Sequence, residues 1–175
     1  MKPIRYFAYG SNMLAQRLQL RCKSARVRGV ASLPDYRLAF SKRSRDGSGK
    51  ATIVPDPVGR VYGGVFDIAA EDVLELDRIE GRGKGYERIV ELSARMHPTD
   101  QPITVTAYIA QNDFFDQALQ PYDWYRDLVI KGAEQNHLPE EYLVALRAIR
   151  ALSDPDPKRS TGLEARTILA GLEAL

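Results

Sequence analysis

An α+β fold follows from three features of the sequence. Segments of period two, rich in β-branched and aromatic residues, fill much of the first 110 positions. One stretch of helical period interrupts them at Ala69–Ile79, and after Pro121 the pattern is helical. Strands gathered first and helices last argue against a doubly wound sheet, in which the two would alternate. The 175 residues suit one globular domain or one domain with a helical tail, so we expect a body over 1–151 and a loop with a tail helix over 152–175.

Ile4–Tyr9 reads as a buried strand that Gly10 breaks. Ser11 or Asn12 can cap a short amphipathic helix over Met13–Leu20, in which Met13, Leu14, Arg17 and Leu18 recur at helical spacing. Further strands are expected at Ala25–Ala31, Tyr36–Ser41, Ala51–Pro55 and Val61–Ile68, divided by Pro34, by the polar Arg43–Lys50 stretch and by Pro57–Gly59. After the Ala69–Ile79 helix, Tyr86–Met96 and Ile103–Ala110 return to period two around a turn at His97–Pro102, as a hairpin or meander would. Helices follow over Tyr122–Asn136 and Pro139–Ala151, the second opened by a proline that suits a first turn. Ser153–Arg159 is a Pro- and Asp-rich loop, and Leu163–Leu172 is a last helix that either packs on the body or stays mobile.

Composition narrows the chemistry. A single cysteine, Cys22, rules out an internal disulfide, and with only His97 and His137 beside it no zinc set can be assembled, so neither metal nor other cofactor is expected. No window approaches the roughly 18 uninterrupted apolar residues of a membrane helix, which makes a cytoplasmic protein without a membrane partner the default. The net charge of +2 hides an asymmetry, because residues 1–50 hold 12 Lys or Arg against Asp35 and Asp46 and the other 125 positions carry −8. A basic first third can attract nucleic acid, steer a small anionic substrate, or face acids supplied by the rest of the chain. The chain lacks the aromatic-and-basic strand pattern of an RNA-binding sheet and any clear helix-turn-helix, so a nucleic-acid or protein binding module ranks behind an enzyme and no nucleic-acid partner is expected.

Three constellations can carry chemistry. In Tyr6-Phe7-Ala8-Tyr9-Gly10-Ser11-Asn12 a buried strand passes through a glycine turn into a helix, whose free N–H groups are a seat for a carboxylate or an oxyanion, although a purely structural turn fits the same spacing. Walker and dinucleotide signatures are absent. Ser11 does not fit a nucleophile elbow either: Tyr9-Gly10 precedes it, and a histidine would have to come from a distant segment. The second constellation is Glu80, which shares a stripe with Ala69, Val73 and Leu76, within roughly 40° of Ala69 at 100° per residue. Glu71 and Glu75 fall off that stripe and read as solvated carboxylates. A carboxylate at the mouth of an apolar face is a better proton acceptor and donor near neutrality. If the helix frays first, Glu80 instead swings out or pairs with Arg82 or Lys84. Gly81, Gly83 and Gly85 follow, either as a close-approach segment for substrate or as a plain cap and turn. The third is aromatic: Tyr108 lies opposite the Ile103, Val105, Ala107, Ile109 face, with Thr104 and Thr106, and Tyr125 sits in a helix beside Tyr122 and Trp124.

These residues together resemble one family. Phe7-Ala8-Tyr9-Gly10-Ser11-Asn12 is similar to the opening signature of the γ-glutamylcyclotransferase-like (AIG2-like) proteins, and Leu76-Asp77-Arg78-Ile79-Glu80-Gly81 resembles their Leu-Asp-x-x-Glu-Gly segment. Trp124-Tyr125-Arg126 and the stretch Gly132–Tyr142 resemble the family's helical section, and Tyr108 matches a strand tyrosine. The likeness runs from about Tyr6 to Ile149, and Arg150–Leu175 match no part of the pattern. It implies a small mixed β-barrel with surrounding helices. It also implies an enzyme that cyclises the γ-glutamyl group of a small amine, amino acid or peptide to 5-oxoproline, with Glu80 as general acid/base. Tyr6, Phe7, Ala8, Tyr9, Gly10, Ser11, Asn12, Tyr108 and Tyr125 would hold the substrate. Leaving-group preference would rest on the rim segments Ser41–Lys50 and Gln111–Pro121, and the oligomeric state, homodimer included, is left open.

Overall fold

A computed structural model describes residues 3–173, with the side chain of Glu173 left aside; the first two positions of the expected body and the last two of the expected tail lie outside it. Five strands, β1 (Ile4–Ala8), β2 (Arg26–Arg43), β3 (Gly49–Ile68), β4 (Tyr86–His97) and β5 (Pro102–Ala110), close into a barrel in the order β1-β3-β2-β4-β5. All neighbours are antiparallel except β1 and β5, whose parallel pairing at Tyr6 and Thr106 seals the barrel. The fold is the α+β mixed barrel that the sequence pattern and its family likeness imply.

Two strands replace the four expected between Ala25 and Ile68, because the breakers are absorbed as bulges. Pro34 pairs with Arg60 and Tyr36 with Pro55, so Asp35 and the Asp56–Gly59 segment loop out opposite each other while pairing resumes on both sides. Asp35 takes a left-handed φ of 64°, a conformation a short polar side chain tolerates. The polar Arg43–Lys50 stretch is the tip of this long hairpin, with Lys42 paired to Lys50 and Arg43 to Gly49.

The helix expected over Met13–Leu20 is divided. A single 3-10 turn covers Ser11–Met13, Leu14 is extended, and α1 runs from Ala15 to Arg21. Neither Ser11 nor Asn12 caps a helix through its side chain, since Gly10 and Leu14 occupy the cap positions. Helix α2 (Ala70–Glu80) crosses from β3 to β4; α3 (Asp123–Gln135) lies on the Ser11–Met13 turn; α4 (Glu140–Arg147) ends four residues before the expected Ala151. The last helix, α5 (Ser160–Glu173), packs on α3 and buries Ala165 completely.

Phe7, Phe66, Leu33, Ile53, Val61 and Val65 form the fully buried centre of the barrel and its helical cover. Each contributes on the order of 2 kcal/mol by leaving water. Because α3 and the strands are anchored to that centre, the turn after β1 is held between them, and the Asn136 amide fixes it further by donating to the Met13 carbonyl at 2.9 Å.

Candidate active site

The chain leaves β1 at Ala8 and turns at Gly10, so the N–H groups of Ser11 and Asn12 start a turn and have no protein acceptor among the described residues. Helix α2 ends facing this turn. Its apolar stripe, Val73 and Leu76, is buried, and the helix is ordered through Glu80 because Gly81 takes φ 70° and returns its N–H to the Arg78 carbonyl. Glu80 therefore does not fray into solvent: its side chain is 15% exposed. Glu71 and Glu75 are exposed, as their place off the stripe requires.

One oxygen of Glu80 is held and the other is free of protein partners among the described residues. Asn12 Nδ2 donates to Glu80 Oε1 at 2.8 Å and also reaches the Tyr6 hydroxyl at 3.0 Å. Arg21, in the last turn of α1, donates through Nη1 to Asn12 Oδ1 at 2.9 Å and to Glu80 Oε1 at 3.2 Å. Arg82 pairs with Asp77 and Glu87 instead of with Glu80.

Around the carboxylate lies a cleft of about 30 Å³ lined by Tyr6, Tyr9, Gly10, Ser11, Asn12, Ala51, Glu80, Tyr86, Tyr108 and Tyr125. The structure thus brings Glu80 together with Tyr6, the Tyr9–Asn12 turn, Tyr108 and Tyr125. It does not bring Phe7 or Ala8 to the cleft, since both are buried but neither lines it. Thr106 and Tyr108 are buried while Thr104 is exposed, so the face they share turns inward only at its cleft end.

Each phenol is fixed by its own partner. Tyr9 donates to the Tyr108 carbonyl, Tyr108 donates to Asp77 Oδ1 at 2.6 Å, and Tyr86 donates to the Ala51 carbonyl at 2.6 Å. Tyr125 accepts from the Ala51 N–H at 3.1 Å. Burial is the main cause that pushes all five hydroxyls above the ordinary tyrosine range, and the nearby Glu80 charge adds to it. They are neutral at any physiological pH, so they can donate and accept hydrogen bonds but cannot serve as bases. That leaves Glu80 as the ionisable group in contact with the cleft.

Sequence reasoning missed Arg21, Tyr86 and Asp77. Arg21 carried a faint signal as the basic residue of the last turn of a helix that starts at the glycine turn. Tyr86 had one too, as the first strand residue after Gly85. Asp77 is in the motif that contains Glu80, but its contact with Tyr108 depends on how β5 closes the barrel.

Residues 60–146 match the AIG2-like family. The γ-glutamylcyclotransferase of Mus musculus is 34% identical over 149 residues, which span 82% of this chain and 77% of that protein. The chain belongs to the γ-glutamylcyclotransferase family. Its likeness to the Homo sapiens γ-glutamylcyclotransferase has the same identity and extent. A solved γ-glutamyl cyclotransferase structure superposes with a TM-score of 0.87 at 30% identity, over 97% of this chain and 99% of that one. The barrel described above is therefore the fold of this cyclotransferase family along nearly its whole length.

Proposed function

We propose that the protein is a γ-glutamylcyclotransferase in which Glu80 moves the proton while a γ-glutamyl compound closes on itself. The observation that carries the reading is the half-engaged carboxylate: Oε1 is anchored by Asn12 and Arg21, Oε2 has no protein donor among the described residues, and Glu80 lines the same cleft as Ser11 and Asn12. The family likeness supports the same assignment.

In this reaction the substrate's α-amine attacks its own γ-carbonyl carbon. Glu80 first takes a proton from the α-ammonium through Oε2. A carbon–nitrogen bond forms within the five-membered ring, and the charge that grows on the carbonyl oxygen is met by the Ser11 and Asn12 N–H groups. Glu80 then returns the proton to the nitrogen that leaves and the original amide bond breaks; the ring nitrogen gives up its second proton to the departing amine, so the products are 5-oxoproline and the protonated amine. The nucleophile belongs to the substrate, and the protein's task is to fold it into a near-attack shape. Tyr6, Tyr9, Tyr108 and Tyr125 supply walls for that fold. Ser11 has no histidine beside it among the cleft residues, which disfavours an acyl-enzyme route.

The rim segments expected to select the leaving group lie together, since Asp116 N–H donates to the Ser41 carbonyl and Gly49 N–H to the Gln120 carbonyl, both at 2.8 Å. The basic first third supports an enzyme better than a nucleic-acid module: Arg17, Arg21, Arg28 and Arg43 are paired with Glu164, Glu80, Asp67 and Asp116 from the rest of the chain. We retain with this proposal a cytoplasmic enzyme that acts on a free small molecule.

The test is 5-oxoproline release from γ-glutamyl dipeptides, γ-glutamyl amines and glutathione by wild type and Glu80→Gln, with circular dichroism as the check on folding. Turnover should fall by about 10²-fold or more in the variant. Full activity in a folded Glu80→Gln protein would remove Glu80 from the mechanism.

A further inference from the structure

The cleft wall at Tyr125 is backed by a cluster that draws on the C-terminal segment. Trp124, the chain's one tryptophan, packs edge-on against the Tyr125 ring with centroids 5.9 Å apart and planes at 86°. Lys50 puts its ammonium 4.4 Å from the Trp124 ring centroid and 4.6 Å from that of Tyr125, and is held there by Asp46 at 2.9 Å. The indole N–H of Trp124 donates to Asp154 Oδ2 at 2.9 Å.

The Asp154 side chain is only 2% exposed, and the same oxygen accepts from Arg159 Nε at 2.8 Å. Arg159 in turn lies 5.5 Å from the Tyr122 ring centroid. The backbone joins here as well: Asp123 N–H donates to the Leu152 carbonyl at 2.8 Å and Leu152 N–H to the Pro121 carbonyl at 2.9 Å. Farther along, Glu164 of α5 accepts from Arg17 of α1 at 2.6 Å. The tail thus holds α3 at Trp124, next to the cleft residue Tyr125, and α1 at Arg17, in the helix that ends at Arg21.

An apolar contact would be enough to dock a helix, whereas a buried carboxylate is costly unless its geometry is used in full. Here it holds the edge of one indole ring, and that ring packs edge-on against a cleft residue. We propose that Asp154 is a positioning residue for the substrate cleft: through Trp124 it orients Tyr125, which makes residues 152–164 part of the active-site structure. The inference rests on the reading of the cleft as the γ-glutamyl site.

The test compares Asp154→Ala, Asp154→Asn and Arg159→Ala in the full chain. The emission of Trp124 reports the tail contact, the Ala51 amide resonance reports the Tyr125 hydroxyl that it donates to, and the KM and kcat for γ-glutamyl dipeptides report the cleft. Asp154→Ala should shift the emission to the red, move the Ala51 resonance, and raise KM by about tenfold with a smaller change in kcat. Asp154→Asn keeps an acceptor for the indole N–H and should recover most of the loss. If Asp154→Ala does not fold, Arg159→Ala removes one partner only and should give smaller changes of the same sign. A red-shifted emission with the Ala51 resonance and KM unmoved would overturn the proposal. Wild-type protein inert on every γ-glutamyl compound would sink the cyclotransferase reading instead, and the Ala51 resonance would still decide the coupling.

Discussion

Asn12 and Glu80, 68 positions apart in the chain, meet through a 2.8 Å hydrogen bond from Nδ2 to Oε1. The contact joins the glycine turn after the first strand to the end of the second α-helix, and Arg21 closes it into a triangle. One carboxylate oxygen is thereby fixed in direction while the other stays available. Asn12→Ala should leave Glu80 in place but free to rotate, lowering kcat for γ-glutamyl substrates by about tenfold or more with a smaller effect on KM. Steady-state kinetics on the folded variant check this, and an unchanged kcat would show that the anchor is dispensable.

Gly10 is needed for space more than for backbone freedom. A Cβ there would stand 3.0 Å from the Ala51 Cβ and 3.3 Å from the Tyr125 hydroxyl oxygen, inside the cleft. Gly10→Ala should keep a melting temperature within about 2–4 °C of wild type, equivalent to roughly 1 kcal/mol, yet lose most activity. Thermal melts and kcat/KM measured together separate the two effects.

The Cys22 thiol is completely buried, and burial, with Asp72 nearby, pushes its pKa up to about 11. The native protein should therefore resist a thiol reagent at pH 8, and one equivalent should react once the chain is unfolded in denaturant. Prompt labelling of the folded protein would contradict this.

Acid should weaken the tail contact at Asp154 only below the usual carboxylate range. Burial opposes the charge on Asp154, but hydrogen bonds from Arg159, the Asp156 N–H and Trp124 overcome it and hold the carboxyl at about 2, below the usual range. A carboxyl depressed on folding contributes stability in full above its unfolded value, roughly 3.9, and loses it as pH falls through about 2. The stability gap between wild type and Asp154→Asn should be constant from pH 7 to about 5 and shrink toward pH 2. Urea midpoints across that range, read with Trp124 fluorescence, measure it.

Local pattern made much of this protein legible in advance. The change from period two to helical period marked the strands and α2, and the 100° stripe through Val73, Leu76 and Glu80 placed one acid on a buried face while leaving Glu71 and Glu75 in water. The glycine turn announced free N–H groups because a chain that ends a strand and starts a turn has no partners for them. Breaker residues misled: Pro34 and Pro57 look like strand ends, but the long hairpin pairs Pro34 with Arg60 and lets Asp35 and the Pro57 segment bulge out opposite each other, which only the opposite strand decides.

The sequence alone determined the order of strand and helix character, the family likeness and the candidate acid, since each is written in neighbours a few positions apart. Tertiary structure alone decided that Arg21 and Asn12 share one oxygen of Glu80, that Phe7 and Ala8 stay out of the cleft, and that Trp124 reaches Asp154. Those contacts depend on barrel closure and helix docking. Hydrogen bonds between side chains far apart in sequence leave no period to read, because their partners become neighbours only after the hydrophobic core has fixed where each strand and helix lies.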